Sequence, residues 1–74
     1  MTFGDKLLNE RKKSNLSAQD LAQACDLSRS YITLMENNKR LPGKKVLPKI
    51  AQALDLDTDT LVEWYLEDLR EKLA

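Results

Sequence analysis

Apolar residues recur every three or four positions along most of the chain, and no segment alternates between apolar and polar residues. The first spacing is typical of helices and the second of half-buried strands. The first predicted helix covers about Phe3–Lys13, and the pair Thr2 and Asp5 has the spacing of a capping box at its start. The pattern therefore predicts an all-α protein.

Three further helix starts share one local pattern, the hydrophobic staple. In each, a polar N-cap follows an apolar residue, and a second apolar residue lies four positions into the helix. Ser17 also has a capping-box partner in Asp20. The three staples are Leu16-Ser17 with Leu21, Leu27-Ser28 with Ile32, and Leu56-Asp57 with Leu61.

Asparagine or aspartate follows three of the expected helix ends, at Asn15, Asp26 and Asn38. These residue types tolerate the left-handed conformation that often ends a helix. The second helix is then predicted over about Ala18–Cys25 and the third over about Arg29–Asn37. The short turn between them has helix-turn-helix spacing.

The predicted start of the fourth helix depends on Pro48, which lies inside an apolar stripe that runs from Val46 to Leu54. If Gly43 capped the helix, Pro48 would interrupt its interior. We favour a later start that places Pro48 in the first turn. A fifth helix is predicted over 58–73, and the chain is expected to form one domain over 1–74 with its core at about 3–62.

The composition restricts the chemistry that 74 residues can support. One cysteine and no histidine provide neither an internal disulfide nor a zinc site. The chain lacks paired carboxylates in a plausible cleft and a glycine-rich phosphate loop, so we expect no enzyme activity, no cofactor and no small-molecule ligand. With no apolar run of membrane-spanning length and no signal-peptide pattern, a cytoplasmic protein with no membrane partner is expected.

The net charge is zero, but the charges are unevenly distributed. Residues 28–54 carry six basic side chains and one acidic side chain, whereas residues 55–74 carry seven acidic and two basic ones. A basic face and an acidic counterweight would let the protein bind phosphate while it stays neutral overall.

Several short stretches, in their order and spacing, match one known family. They are Phe3-Gly4 through Arg11, Leu16-Ser17, Leu21-Ala22, Leu27-Ser28-Arg29-Ser30, Ile32, Met35-Glu36, Lys39-Arg40 with Pro42, and Lys49-Ile50-Ala51 through Ala53-Leu54. Through these stretches, residues 3–62 resemble the Cro and phage-repressor family of helix-turn-helix regulators. The resemblance implies a compact, five-helix, lambda-repressor-like domain that places its third helix in the major groove of double-stranded DNA.

The exposed face of the third helix is the candidate for reading bases. Arg29, Ser30 and Thr33 lie away from the apolar positions of that helix, and Arg29 has the donors to bond guanine at two atoms. The alternative for Arg29 is a phosphate contact or a solvated position. Leu34 occupies a position where the family usually has a polar residue, so it either contacts thymine methyl groups or completes the core. Tyr31 is expected to pack.

Cations after the third helix are candidates for phosphate contacts, with a solvated basic loop as the alternative. The start of the second helix is a second candidate, because its amides point outward. Ala18 replaces the glutamine that the family usually has there, which shifts this role towards Gln19. The predicted phosphate-contacting residues are Ser17, Gln19, Lys39, Arg40, Lys44 and Lys45.

Two further positions have structural interpretations. The resemblance implies that Arg11 and Glu36 form an ion pair, and Glu36 is the only acid in the basic segment. Cys25 stands where the family usually has leucine, so we expect a small core residue. The alternative is a redox-sensing thiol.

The fifth helix continues beyond what the family core requires, and we expect it to form a homodimer interface. Its apolar stripe would be left uncovered in a monomer, and Trp64 would widen it. The alternative is that this helix folds over the first and fourth helices and thickens the core. The predicted interface comprises Val62, Tyr65, Leu66, Leu69 and Leu73, and the residues expected to face water are Glu63, Glu67, Asp68 and Glu71.

These patterns predict a sequence-specific, DNA-binding transcriptional regulator that binds a palindromic operator as a dimer. The sequence does not separate a phage repressor or Cro-like protein from a restriction–modification controller. The alternative function is an antitoxin or other protein-interaction module, with DNA binding secondary or absent.

Overall fold

The computed structural model describes residues 1–73, which form five helices and no strand. The predicted all-α architecture with an extended C-terminal helix is confirmed. The helices are α1 (Phe3–Lys13), α2 (Ala18–Ala24), α3 (Arg29–Glu36), α4 (Val46–Ala53) and α5 (Thr58–Leu73).

The first three helices begin where the sequence predicts, and each has a side-chain hydrogen bond at its N-cap. The Thr2 hydroxyl accepts from the Asp5 amide at 3.1 Å, and the Asp5 carboxylate accepts from the Thr2 amide at 3.3 Å. Ser17 and Asp20 form the same reciprocal pair at 3.0 and 3.1 Å. At the start of α3, the Ser28 hydroxyl accepts from the amide three residues on. Each cap satisfies amides that have no partner within the helix.

Left-handed residues end the helices as expected. Asn15, Asp26 and Asn38 have φ values of 57°, 55° and 60°. Asp55, with φ 57°, is a fourth such residue and was not among those expected. The signal was present, because the order of left-handed residue, leucine and N-cap at 15–17 and 26–28 recurs at 55–57.

The helix boundaries differ from prediction by single residues. Cys25 and Asn37 are the C-caps of α2 and α3 rather than their last helical residues. The later start of α4 is confirmed, since the helix begins at Val46 and Pro48 is its third residue. The missing amide of Pro48 costs nothing there, because amides of a first turn have no acceptor within the helix.

All five helices contribute to one core, in which α3 packs against α1 and α2, and α5 packs against α1 and α4. The approach of α1 to the end of α3 requires a glycine. A Cβ on Gly4 would lie only 2.4 Å from the carbonyl oxygen of Met35. The fully buried large side chains of the core include Phe3, Leu7, Leu21, Ile32, Met35, Ile50 and Leu61.

The inner face of α5 differs from prediction in two residues. Trp64 was expected to widen the uncovered surface, but its ring meets the Phe3 ring edge-on with centroids 6.1 Å apart. Asp68 was expected to face water and is only 1% exposed. The prediction for Asp68 was wrong because Leu61 and Asp68 lie seven residues apart, on the same buried face of the helix.

Asp68 lies at a cavity of about 280 Å³ between α5 and the segment that follows α3. Its Oδ2 atom has no hydrogen-bond partner among the described residues, and the Lys72 ammonium lies 3.5 Å away. Among the described residues, Lys72 is therefore the ion-pair partner of Asp68, at a distance that provides no hydrogen bond. Within residues 1–73, no helix is long and apolar enough to cross a membrane.

Candidate DNA-binding surface

Helices α2 and α3 are joined by the four residues 25–28. The left-handed Asp26 reverses the chain, and the Leu27 amide donates to the Ala22 carbonyl at 2.8 Å. The Leu27 side chain packs against the core. These contacts fix the angle at which α3 leaves the turn, so its outer face has a defined position on the protein surface.

The structure brings the four predicted base-contacting residues together. Ile32 and Met35 turn α3 towards the core, where they are 0% and 1% exposed. The opposite face carries four exposed side chains that line one shallow surface depression, namely Arg29, Ser30, Thr33 and Leu34. Leu34 is 40% exposed, so the alternative in which it completes the core is wrong.

The predicted ion pair joins the C-terminal end of α3 to α1. Arg11 Nε donates to Glu36 Oε2 at 2.6 Å, and Arg11 Nη2 donates to Glu36 Oε1 at 3.1 Å. A third donor, Arg11 Nη1, bonds the Leu16 carbonyl at 2.9 Å. The hydrogen bond to Glu36 raises the pKa of Arg11 above its ordinary value. One guanidinium thus links α1, the turn before α2 and the end of α3.

The segment between α3 and α4, residues 37–45, is the basic loop of this surface. Its four cations, Lys39, Arg40, Lys44 and Lys45, are exposed, and within residues 1–73 none of them forms a salt bridge. Lys49 continues the row of exposed cations on α4.

Tyr31 connects α3 to the basic loop and packs as expected. Its ring is partly buried against the core, and the Arg40 guanidinium lies over it, 4.6 Å from the ring centroid. The Tyr31 hydroxyl accepts a hydrogen bond from the Gly43 amide at 3.1 Å. The sequence carried no signal for these two contacts, because they depend on the path of the loop.

The start of α2 lies on the surface, with Ser17 and Gln19 exposed. The Ser17 hydroxyl oxygen accepts from the Asp20 amide, which leaves its own O–H available as a donor. The Asp20 carboxylate also caps this end and lowers its attraction for an anion.

Cys25 is buried, and its Sγ atom lies 3.6 Å from the Lys49 carbonyl oxygen as a weak donor. Burial raises the pKa of the Cys25 thiol, with a smaller opposing effect from Lys49. A raised pKa disfavours the reactive thiolate, so the packing interpretation holds and the redox-sensing alternative is not supported.

The five predicted interface residues of α5 differ in exposure. Leu66 and Leu73 are 37% and 86% exposed. Leu69 is partly buried, and Val62 and Tyr65 pack partly against the core. One face of α5 therefore covers the core, as expected if this helix folds over α1 and α4. A neighbouring stripe of the helix still exposes apolar side chains.

Comparisons with known proteins agree with this arrangement. The family model described as "Helix-turn-helix" matches residues 7–61. The chain is 34% identical over 59 residues to the ImmF control region 10 kDa protein of Bacillus phage phi105, covering 80% of this chain and 66% of that protein.

Two solved structures have the same fold. The restriction-modification controller protein C.AhdI from Aeromonas hydrophila is 34% identical, with a TM-score of 0.76 over 80% of this chain and 89% of that one. The biofilm master regulator SinR, solved in complex with DNA, is 27% identical, with a TM-score of 0.77 over 82% and 98%. The chain therefore belongs to the helix-turn-helix family of the Cro and phage-repressor type, a family of DNA-binding transcription regulators and not of enzymes.

Proposed function

We propose that this protein represses or controls transcription by binding a palindromic operator as a homodimer, with α3 in the major groove. The observation that carries the proposal is the outer face of α3, where four side chains able to contact bases are exposed together. The buried Ile32 and Met35 hold that face outward.

The four side chains supply complementary contacts. The Arg29 guanidinium can donate to guanine O6 and N7 together, a contact that contributes about 1–3 kcal/mol of discrimination. The hydroxyls of Ser30 and Thr33 can donate or accept at a base edge. Leu34, which is exposed but apolar, matches the methyl group of thymine.

Phosphate contacts would position the domain on the duplex without reading sequence. The basic loop provides Lys39, Arg40, Lys44 and Lys45, and the start of α2 provides Ser17 and Gln19. Every one of these side chains is exposed. Because phosphate contacts release bound cations, binding should weaken steeply as salt increases.

The dimer would form along α5, through Val62, Tyr65, Leu66, Leu69 and Leu73. Leu66 and Leu73 leave apolar surface in water that a second copy would cover. A two-fold axis through this stripe would present two copies of α3 to half-sites about 34 Å apart on one face of the duplex. Each half-site would then strengthen binding to the other.

The relatives suggest the kind of regulation, since one is a phage control-region protein and another a restriction–modification controller. We place the protein in the cytoplasm, where its operator would be.

The exposed stripe of α5 also favours a second candidate function, an antitoxin-like module that covers another protein with this helix.

The test is selection of bound duplexes from a random library at about 0.1 M salt. The proposal predicts enrichment of an inverted repeat whose half-site centres are one helical turn apart. A single, unrepeated site would contradict the dimer. No enrichment over the starting library would contradict sequence-specific binding and favour the protein-interaction module.

A further inference from the structure

We propose that Tyr31 positions the basic loop, so that the phosphate-contacting lysines are held in a fixed relation to the base-reading face of α3. The inference rests on the proposed phosphate contacts of that loop. In this role Tyr31 touches neither a base nor a phosphate and acts through the residues that it holds.

The first contact links α3 to the start of α4. The Tyr31 hydroxyl accepts from the Gly43 amide at 3.1 Å, and the Gly43 carbonyl accepts from the Val46 amide at 3.0 Å. Lys44 and Lys45 are the two residues between these anchored points. A tyrosine on α3 thereby limits where both ammonium groups can lie.

The second contact orients Arg40. Its guanidinium lies over the Tyr31 ring, 4.6 Å from the centroid. Attraction between a cation and the face of an aromatic ring holds the group in place, and N–H donors at the edge of the guanidinium remain able to bond a phosphate oxygen. Arg40 is therefore restrained before DNA arrives.

The remaining attachments of the loop leave this role to Tyr31. Near its beginning, the Lys39 amide donates to the Leu34 carbonyl at 2.9 Å, and Pro42 is buried. Lys44 and Lys45 are themselves exposed. Within the described residues, the Tyr31 hydroxyl is the side-chain acceptor that holds Gly43. Ordering the loop in advance lowers the entropy that binding must otherwise remove.

The test compares Tyr31→Phe, which removes the hydroxyl and keeps the ring, with the unaltered protein. Two quantities are measured: the amide hydrogen-exchange rate of Gly43, and the slope of log K against log salt for a selected duplex. We expect faster Gly43 exchange, binding about 2- to 10-fold weaker, and a slope reduced in magnitude by up to about 1.8, equivalent to two phosphate contacts. The preferred bases should not change.

The double variant Lys44→Gln with Lys45→Gln is the control for the phosphate role. If it leaves the slope unchanged, the lysines do not contact phosphate, and the positioning role is overturned together with that part of the proposed function. If it flattens the slope whereas Tyr31→Phe does not, only the positioning role is overturned.

The amide hydrogen-exchange rate of Gly43 tests the positioning role of Tyr31 independently of the lysines. An unchanged Gly43 exchange rate in Tyr31→Phe overturns the proposal. Weaker binding with an unchanged slope in that case would mean that the hydroxyl itself bonds a phosphate, because a neutral group releases no cations. The unaltered protein gives a second measurement, which stands even if the variant fails to fold. Its Gly43 amide should exchange more slowly than the Lys44 amide once intrinsic rates are corrected, and equal protection would overturn the proposal.

Discussion

Arg11 and Glu36 face each other through two parallel hydrogen bonds, of 2.6 and 3.1 Å, that join α1 to the last residue of α3. The Arg11 and Glu36 side chains are only 14% and 9% exposed. Geometry and burial together distinguish this pair from ion pairs on the surface, which contribute little to stability.

Breaking this pair should destabilise the fold. We expect Arg11→Met and Glu36→Gln each to lower the free energy of unfolding by about 1–3 kcal/mol, because each leaves a poorly solvated group without its partner. Urea denaturation measures the effect. The double variant should cost less than the sum of the single ones.

A more exposed ion pair on the same helix is the matched control. Glu10 Oε1 and Lys13 Nζ lie 3.5 Å apart, and the Lys13 side chain is 74% exposed. Lys13→Met should change stability by less than about 0.5 kcal/mol. Additive effects of Arg11→Met and Glu36→Gln would show that the two side chains do not depend on each other.

Asp68 should reduce the stability of the protein. Its carboxylate is buried with one oxygen that has no hydrogen-bond partner in the described part of the chain, and the adjacent cavity leaves room for a larger side chain. We expect Asp68→Leu to raise the free energy of unfolding by about 1 kcal/mol, since replacing a poorly satisfied buried charge by an apolar group is often stabilising.

Lys72→Met is the complementary variant, because it leaves the Asp68 charge in place and removes the ammonium 3.5 Å away. It should lower stability in the same urea experiment. If Asp68→Leu is destabilising instead, the carboxylate makes a favourable interaction, such as one with water in the cavity.

The apolar stripe of α5 predicts the effect of a charge placed within it. At micromolar concentration the protein should sediment as a dimer, and Leu69→Glu should shift it to the monomer and weaken operator binding. Arg70→Gln is the matched control, since it changes the net charge by the same amount at the next residue, which lies off the stripe. A monomeric mass for the unaltered protein at high concentration would end the dimer proposal.

The sequence could predict the starts and stops of the helices because these depend on residues close in the chain. Ser17 with Asp20 caps a helix wherever the two occur at that spacing, and Asn15 needs no distant partner to adopt a left-handed conformation. The exposed face of α3 followed from periodicity alone, and the structure brings its four candidate residues together.

Features that depend on how helices meet were harder to predict. Gly4 is required by the carbonyl of Met35, which lies on another helix. Asp68 had the spacing of a buried residue relative to Leu61, but aspartate usually indicates an exposed position. The link between Tyr31 and Gly43 requires the path of the loop between them.

The central claim is that α3 reads bases, and Arg29 tests it most directly. The measurement is selection from a random duplex library with the unaltered protein and with Arg29→Ala. We predict that the variant loses preference at one base pair in each half-site and retains it at the others, with a cost of about 1–3 kcal/mol on the original operator. An equal loss of affinity for all sequences, with every base preference intact, would contradict the account and identify Arg29 as a phosphate contact.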